Sequence, residues 1–228
     1  MSEELTSEGK CLYCEQILSQ KEIVKHLAKH LAEKQKTESG QKTQTYCHIV
    51  VEADIMFLHL LVKGSASMTV IDTFLRRIWL ECCGHMSEFR KGREEIDMSL
   101  KVKDVLVSSQ KLVYDYDFGS TTRLSIKGLK HYELNETSVI ILLSRNEPLQ
   151  IMCSMCGKAP AVSMCTTCCW GSEAFFCKKC AKKHEKECED FTDYSNMPVV
   201  NSPRMGVCGY DGGRIDLERD GVYKIQKV

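Results

Sequence analysis

Apolar residues in this 228-residue chain fall into a few dense segments separated by polar stretches. Two neighbouring segments within 46–63, YCHIVV and MFLHLLV, alternate or run apolar, which is typical of strands partly buried on both faces. Shorter segments of the same kind predict further strands at 86–92, 94–100, 111–118, 122–128 and 138–144. The last of these, SVIILLSR, is apolar enough to be a central strand.

A segment with helical periodicity of apolar residues lies among these predicted strands. Apolar residues recur three or four positions apart at Ile71, Phe74, Leu75, Ile78, Trp79 and Cys82. Thr69 with Asp72 forms a capping-box pattern at the start, and Gly84 ends the helix. Strands followed by one main core helix and more strands predict an α+β domain at 46–148, with a mixed or antiparallel sheet.

The N-terminal segment carries a second helical pattern that includes metal-binding residue types. Its spacing, Cys11-x2-Cys14-x11-His26-x3-His30, is close to that of a C2H2 zinc finger. Ser19 and Glu22 form a capping box, and the two histidines lie one helical turn apart, so both can face one ion. We therefore predict a finger at 1–32, followed by a flexible polar linker at 33–45.

Whether this finger binds DNA is a separate question. The exposed helix positions are predicted to be Lys21, Glu22, Lys25 and Lys29, without the arginine that most often contacts bases. A lone finger also covers only about 3 base pairs. A protein contact or a purely structural role fits the finger equally well.

The strongest pattern lies between residues 153 and 188. Eight residues of zinc-binding type form four pairs: Cys153 with Cys156, Cys165 with Cys168, Cys177 with Cys180, and His184 with Cys188. The even spacing predicts two interleaved tetrahedral sites, in which the first and third pairs share one zinc and the second and fourth share the other. A module at 149–190 is too small to bury a large core, so metal would supply most of its folding free energy.

This order of ligands resembles the MYND-type and B-box-type cross-braced zinc modules, which implies a protein-interaction role. Cys168 is favoured over Cys169 as a ligand because it completes a C-x2-C pair with Cys165. Trp170 is a candidate core residue or an anchor for a partner peptide. A lysine-rich helix follows, and its lysines are candidates for a solvated face or for partner contact: Lys178, Lys179, Lys182, Lys183 and Lys186.

The last segment, 191–228, contains a loop rich in glycine and proline and then a predicted hairpin around Asp220-Gly221. Within this segment, we expect Asn201–Tyr210 to form a specific loop and not a flexible linker. It either packs against the rest of the protein, which we favour, or presents Arg204 and Tyr210 to a partner.

The central domain resembles the plasmid pRiA ORF-three-like family, also called passenger TnpR-like. The resemblance rests on His85-Met-Ser-Glu-Phe89 after the core helix and on Tyr114-Asp-Tyr-Asp-Phe-Gly119, and it covers about 46–146. Two departures stand out. Ser120 and Thr122 replace the usual acid and tryptophan, and Cys82-Cys83-Gly84 stands where a tryptophan precedes the histidine.

An enzyme is the alternative interpretation of this domain. Asp115 and Asp117 would share a strand face, and with His85 they would form an acid–base or metal-binding trio. A solvated acidic face is the simpler interpretation. A further metal site could be assembled from Cys47, His48, Cys82, Cys83 and His85. Their spacings are not ligand spacings, so we interpret the cysteines as small buried apolar residues.

The composition of the chain limits the classes of function that we expect for it. Lysine plus arginine equals aspartate plus glutamate at 31 each, which argues against a dominant phosphate-binding surface. Fourteen cysteines without an apolar leader or membrane span indicate a reduced, cytoplasmic protein. We predict a non-enzymatic protein with three structural zinc ions and a protein or ribonucleoprotein partner. A nucleic-acid-binding regulator associated with a mobile element is the alternative.

Overall fold

A computed structural model describes residues 7–170 and 174–215. The described residues within Met1–Leu75 and His85–Glu147 form one compact unit, and those within Arg76–Gly84 and Pro148–Val228 form a second. In the described part of the chain, no helix has both the length and the apolar character needed to cross a membrane.

The first unit is built on a seven-stranded sheet in which every neighbouring pair is antiparallel. Its strands, in chain order, are β3 (Gln44–Ala53), β4 (Met56–Lys63), β5 (Ser87–Lys91), β6 (Glu94–Ile96), β7 (Lys111–Tyr116), β8 (Thr122–Leu134) and β9 (Ile140–Arg145). They are ordered β6-β5-β7-β8-β3-β4-β9. The predicted α+β class with an antiparallel sheet is confirmed.

Before the sheet, the chain forms a hairpin of β1 (Glu8–Lys10) and β2 (Ile17–Ser19), followed by helix α1 (Gln20–Thr37). The predicted capping box is present at Ser19 and Glu22. One face of α1 carries Ile23, Leu27 and Leu31, which are fully buried in a cluster with residues of the sheet. The finger helix is therefore part of the first unit's core.

This packing corrects two predictions. Residues 33–37, predicted to begin a flexible linker, complete α1, and β3 begins at Gln44. The predicted boundary between the finger and the central domain does not separate compact units, because both lie in the first. The polar composition of 33–37 misled the prediction: those residues lie on the last turn of a helix anchored by its earlier apolar face.

The sheet order corrects a third prediction. β9, which contains the apolar segment SVIILLSR, lies at an edge of the sheet beside β4 and not at its centre. Its apolar character has another cause. The backbone N–H of Leu12 donates to the carbonyl of Leu143 at 2.9 Å, and Leu143 is buried in the cluster that contains α1. The N-terminal segment thus covers this edge.

The predicted core helix begins as expected with α2 (Thr69–Leu75), and the short α3 (Val102–Val105) follows later in the chain. The Asp72 carboxylate accepts hydrogen bonds from the hydroxyls of Ser87 at 2.6 Å and Tyr114 at 2.8 Å, which hold α2 to the sheet. The chain then continues as a π-helical turn, Arg76–Leu80. That turn belongs to the second unit, so the core helix is not confined to one domain as predicted.

The second unit has a small three-stranded antiparallel sheet in the order β11-β10-β12. Its elements are β10 (Ser163–Cys165), a 3-10 turn (Cys168–Trp170), β11 (Phe175–Phe176), α4 (Lys178–His184), a π-helical turn (Phe191–Ser195) and β12 (Asn196–Pro198). Because β12 pairs with β10, the module continues past the predicted boundary at residue 190. The hairpin predicted around Asp220-Gly221 lies outside the described residues.

The segment after β12 packs against residues 76–84. The Ser202 hydroxyl donates to the carbonyl of Trp79 at 2.6 Å, and the Arg214 backbone N–H donates to the carbonyl of Arg77 at 2.5 Å. Arg204 and Tyr210 are 0% and 1% exposed. The loop therefore packs, as we favoured. Side chains withdrawn from solvent cannot contact a partner, so the alternative role of Arg204 and Tyr210 in partner binding is wrong.

Candidate metal centres

The N-terminal cluster lies where the β1–β2 hairpin meets α1. The ligand atoms of Cys11, Cys14, His26 and His30 all lie within 4.8 Å of one another. The Cys14 Sγ is 3.0 Å from the His26 Nε2, which is 3.1 Å from the His30 Nε2. The hairpin turn is closed by hydrogen bonds between Cys11 and Gln16 and between Glu15 and Cys11. The local fold therefore directs two sulfurs and two ring nitrogens at one point, as a tetrahedral zinc requires.

Two further clusters interleave in the second unit. The sulfurs of Cys153, Cys156, Cys177 and Cys180 lie within 4.8 Å of one another, and so do the ligand atoms of Cys165, Cys168, His184 and Cys188. These are the two sets that the spacing predicts. Sulfur–sulfur distances of 3.9 to 4.0 Å occur in both clusters. Ligands about 2.3 Å from a tetrahedral zinc lie about 3.8 Å apart, so the donor sets fit zinc.

Short elements hold these ligands. Cys165 ends β10, Cys177 is the N-cap of α4, and His184 is the last residue of α4. The backbone N–H of Gly157 donates to the Cys153 carbonyl at 2.8 Å, which closes the turn between the first two sulfurs. Helix α4 carries Cys180 of one cluster and His184 of the other, so this helix is tied to both metal positions.

The apolar residues between the ligands form a small core. The Phe176 ring stacks on the His184 imidazole with centroids 4.3 Å apart, and the Phe191 ring meets that imidazole edge-on at 4.9 Å. These contacts fix the orientation of the imidazole. The cluster of buried residues here contains few apolar side chains besides the cysteines themselves, as expected for a module that depends on metal.

In the metal-free chain, each interleaved cluster contains one readily ionised thiol. Burial raises the pKa of Cys153, but hydrogen bonds from neighbouring backbone groups outweigh it and bring the pKa to about 6. Burial likewise opposes ionisation of Cys165, while hydrogen bonds from Ser195 and His184 bring its pKa to about 6. Burial and the neighbouring sulfurs raise the pKa of Cys168 and Cys180 to about 12. A divalent cation would relieve this repulsion between thiolates.

The remaining predicted residues of the module have distinct positions. The Cys169 side chain is exposed, lies outside both clusters, and hydrogen bonds to the Thr166 carbonyl at 3.0 Å. The lysines of α4 at 178, 179, 182 and 183 are exposed. The side chain of Trp170 lies outside the described residues, so its predicted role as core or anchor stays a prediction.

The three residues of the predicted acid–base trio have different partners. Asp115 pairs with arginines, whereas Asp117 lies beside His85. Asp115 lies in β7, and its carboxylate pairs with Arg123 and Arg90, which lower its pKa mainly through the Arg123 hydrogen bonds. Asp117 follows the end of β7 with a φ of 65°, and its Oδ1 is 3.5 Å from the His85 Nδ1. The two carboxylates therefore do not continue one strand face as predicted.

Sequence reasoning set aside Cys82 and Cys83 as metal ligands and missed Cys208, which lies beside them. The sulfurs of Cys82, Cys83 and Cys208 lie within 4.8 Å of one another. Cys82 is half-buried and the other two are exposed, so Cys82 and Cys83 are not the buried apolar residues that we predicted. A separation of 125 residues between Cys83 and Cys208 conceals the grouping. The available signal was the pair of Cys-Gly dipeptides, which match Cys156-Gly157.

Comparisons with known proteins add little to this picture. No family model matches the chain, and no curated protein matches it either. Among solved structures, the chain is similar to a crystal structure of a protein of unknown function, MM3350, from Methanosarcina mazei Go1. The two are 13% identical with a TM-score of 0.38, over 45% of this chain and 69% of that one. The resemblance to the pRiA ORF-three-like family stays a prediction.

Proposed function

We propose that this protein is a zinc-binding interaction protein, in which zinc is structural and the second unit recognises a protein partner. The supporting observation is that each of the three predicted clusters brings together four protein ligands. A zinc ion with four protein ligands has no open coordination position for a catalytic water. Zinc would then act by fixing the shape of a surface.

The lysines of α4 support a location for that surface. Four exposed lysines lie on this helix: Lys178, Lys179, Lys182 and Lys183. The opposite face carries the buried Cys180, Ala181 and His184, so metal binding would hold the lysines in a fixed arrangement. A zinc with four thiolates carries a net negative charge, and part of the lysine charge offsets it. The remainder favours an acidic segment on the partner.

The test uses two matched double charge reversals. In Lys178→Glu/Lys182→Glu, the exposed pair on α4 reverses its charge; in Lys111→Glu/Lys127→Glu, an exposed cross-strand pair of the first unit does so. Affinity purification of the full chain from its native cells should recover a partner with wild type and with the sheet variant. The α4 variant should lose that partner at unchanged zinc content. Retention of every partner by the α4 variant would contradict the proposal.

Nucleic-acid binding is the second candidate, supported by a row of lysines on α1. Lys21, Lys25 and Lys29 are exposed one helical turn apart, opposite the face that packs on the sheet. Such a row could contact successive phosphates. The overall charge balance and the absence of arginine from this row favour the protein partner.

Fluorescence anisotropy with labelled duplex DNA and single-stranded RNA separates the two candidates. Binding that weakens steeply with added salt and is lost in Lys25→Glu/Lys29→Glu would support the nucleic-acid function. No binding at low salt would exclude it for the probes used.

A further inference from the structure

The group formed by Cys82, Cys83 and Cys208 has the features of a metal site. We propose that these three cysteines of the second unit bind a fourth metal ion, and the preference of thiolates identifies zinc as the expected metal. This site does not rest on the proposed partner recognition. It would join two segments of the second unit that are distant in sequence.

The distances between the sulfurs favour a shared ion over a disulfide. All three lie within 4.8 Å of one another, and the Cys83 and Cys208 sulfurs are 3.4 Å apart. A disulfide bond would be about 2.05 Å long, whereas sulfurs that share a tetrahedral zinc lie about 3.8 Å apart. A third sulfur beside the pair has no role in a disulfide, but it is a further ligand for an ion.

The backbone around these cysteines repeats a feature of the predicted zinc ligands. A left-handed residue directly follows Cys14 in the finger and Cys156 in the interleaved module, at φ values of 62° and 61°. Gly84 after Cys83 and Gly209 after Cys208 have φ values of 73° and 67°. A left-handed residue at this position turns backbone N–H groups towards the preceding side chain, which stabilises a negatively charged sulfur.

Charge also fits the assignment. The guanidinium of Arg204 lies 3.6 Å from the Cys82 sulfur, and Arg204 is fully buried. A divalent ion held by three thiolates carries a net negative charge, which this buried cation would partly neutralise. Arg204 thus has a structural role beside these cysteines.

The test counts metal in the full chain by native mass spectrometry after expression with zinc. Wild type should bind four zinc ions, and Cys208→Ser and Cys83→Ser should each bind three. Both cysteines are exposed, so these substitutions open no cavity in a core. Cys169→Ser is the matched control, because Cys169 is exposed in the same unit and lies outside every cluster; it should retain four.

Equal zinc counts in wild type and Cys208→Ser would overturn the site. So would an unreduced wild-type mass lower by two hydrogens with a Cys83–Cys208 crosslink in the peptide map.

Cobalt substitution gives a second measurement, because three of the twelve cysteines in these clusters belong to this one. Cys208→Ser should lower the thiolate-to-cobalt absorption by about a quarter if each thiolate contributes equally and the site empties.

Discussion

The two units combine ligand clusters with very different amounts of apolar core. In the first, the Cys11–His30 cluster adjoins a helix whose Ile23, Leu27 and Leu31 are buried with residues of a seven-stranded sheet. In the second, the interleaved clusters are linked by a three-stranded sheet and a helix of seven residues. One motif type therefore serves two purposes. It adds to a core in the first unit and replaces one in the interleaved module of the second.

This difference implies different responses to the loss of metal. Apolar burial stabilises by about 25 cal/mol for each Å² removed from water, and the sheet and α1 keep that contribution without an ion. The interleaved module buries too little for this to suffice, and a structural zinc supplies on the order of 10 kcal/mol or more. Single substitutions can change each of these contributions separately.

The largest effect is expected from Cys180→Ser. Cys180 is a buried ligand of the first interleaved cluster, and a structural zinc contributes roughly 10–16 kcal/mol, more than a small domain's net stability. The module should lose its fold around both ions, because the ligand pairs alternate. Loss of two zinc ions by native mass spectrometry would show this; Cys169→Ser should lose none. Loss of only one ion with the second cluster folded would show that the clusters are independent.

In the first unit, the largest single-residue effect is expected from Leu27→Ala. Leu27 is fully buried between α1 and the sheet. Such substitutions destabilise by about 2–5 kcal/mol through lost burial and a residual cavity. Chemical denaturation monitored by hydrogen exchange in β3 and β4 measures this. Lys25→Ala, on the exposed face of the same helix, should change stability by less than about 0.5 kcal/mol.

Cys14→Ser should have a smaller effect on the sheet than Leu27→Ala. The substitution removes an exposed ligand of the finger cluster but leaves the buried face of α1 in place. Amides of the turn between β1 and β2 should exchange faster, while those of β3, β4 and β8 keep their protection. Global unfolding of the first unit in this variant would show that its core depends on the metal.

The smallest effect is a pH dependence in the first unit. Burial lowers the pKa of His48 to about 4 and, with a contribution from His48, that of His59 to about 3. The unfolded chain binds these protons near pH 6.5, so acidification favours unfolding. From pH 7 to 5.5, each histidine should lower the stability by about 1 kcal/mol.

His59→Leu separates this effect from acid-induced loss of zinc. The variant keeps the finger ligands but lacks one of the two buried imidazoles, which lie 3.1 Å apart. Its stability should fall by about 1 kcal/mol less than that of wild type over the same pH range, since one proton is no longer bound on unfolding. Equal losses in the two proteins would assign the pH dependence to other groups.

The sequence predictions succeeded where the interactions are local along the chain and failed where they are long-range. Ligand spacing is local, and the residues predicted for each zinc lie together. The helical spacing of apolar residues after Thr69 is also a local pattern, and it predicted α2. Long-range packing is not visible in such patterns. The apolar β9 lies at an edge because the N-terminal segment covers it, and residues 76–84 belong to the second unit because a segment more than a hundred residues later packs on them.

The central claim is that the interleaved module of the second unit is folded by metal and the first unit by its apolar core. Hydrogen exchange of the full chain, with and without a zinc chelator, tests it most directly, and chelator saturated with zinc beforehand serves as the control. The account predicts that chelation abolishes protection across β10, α4 and β12 while β3, β4 and β8 remain protected. Protection retained in α4 after complete zinc removal, or lost together in both units, would contradict it.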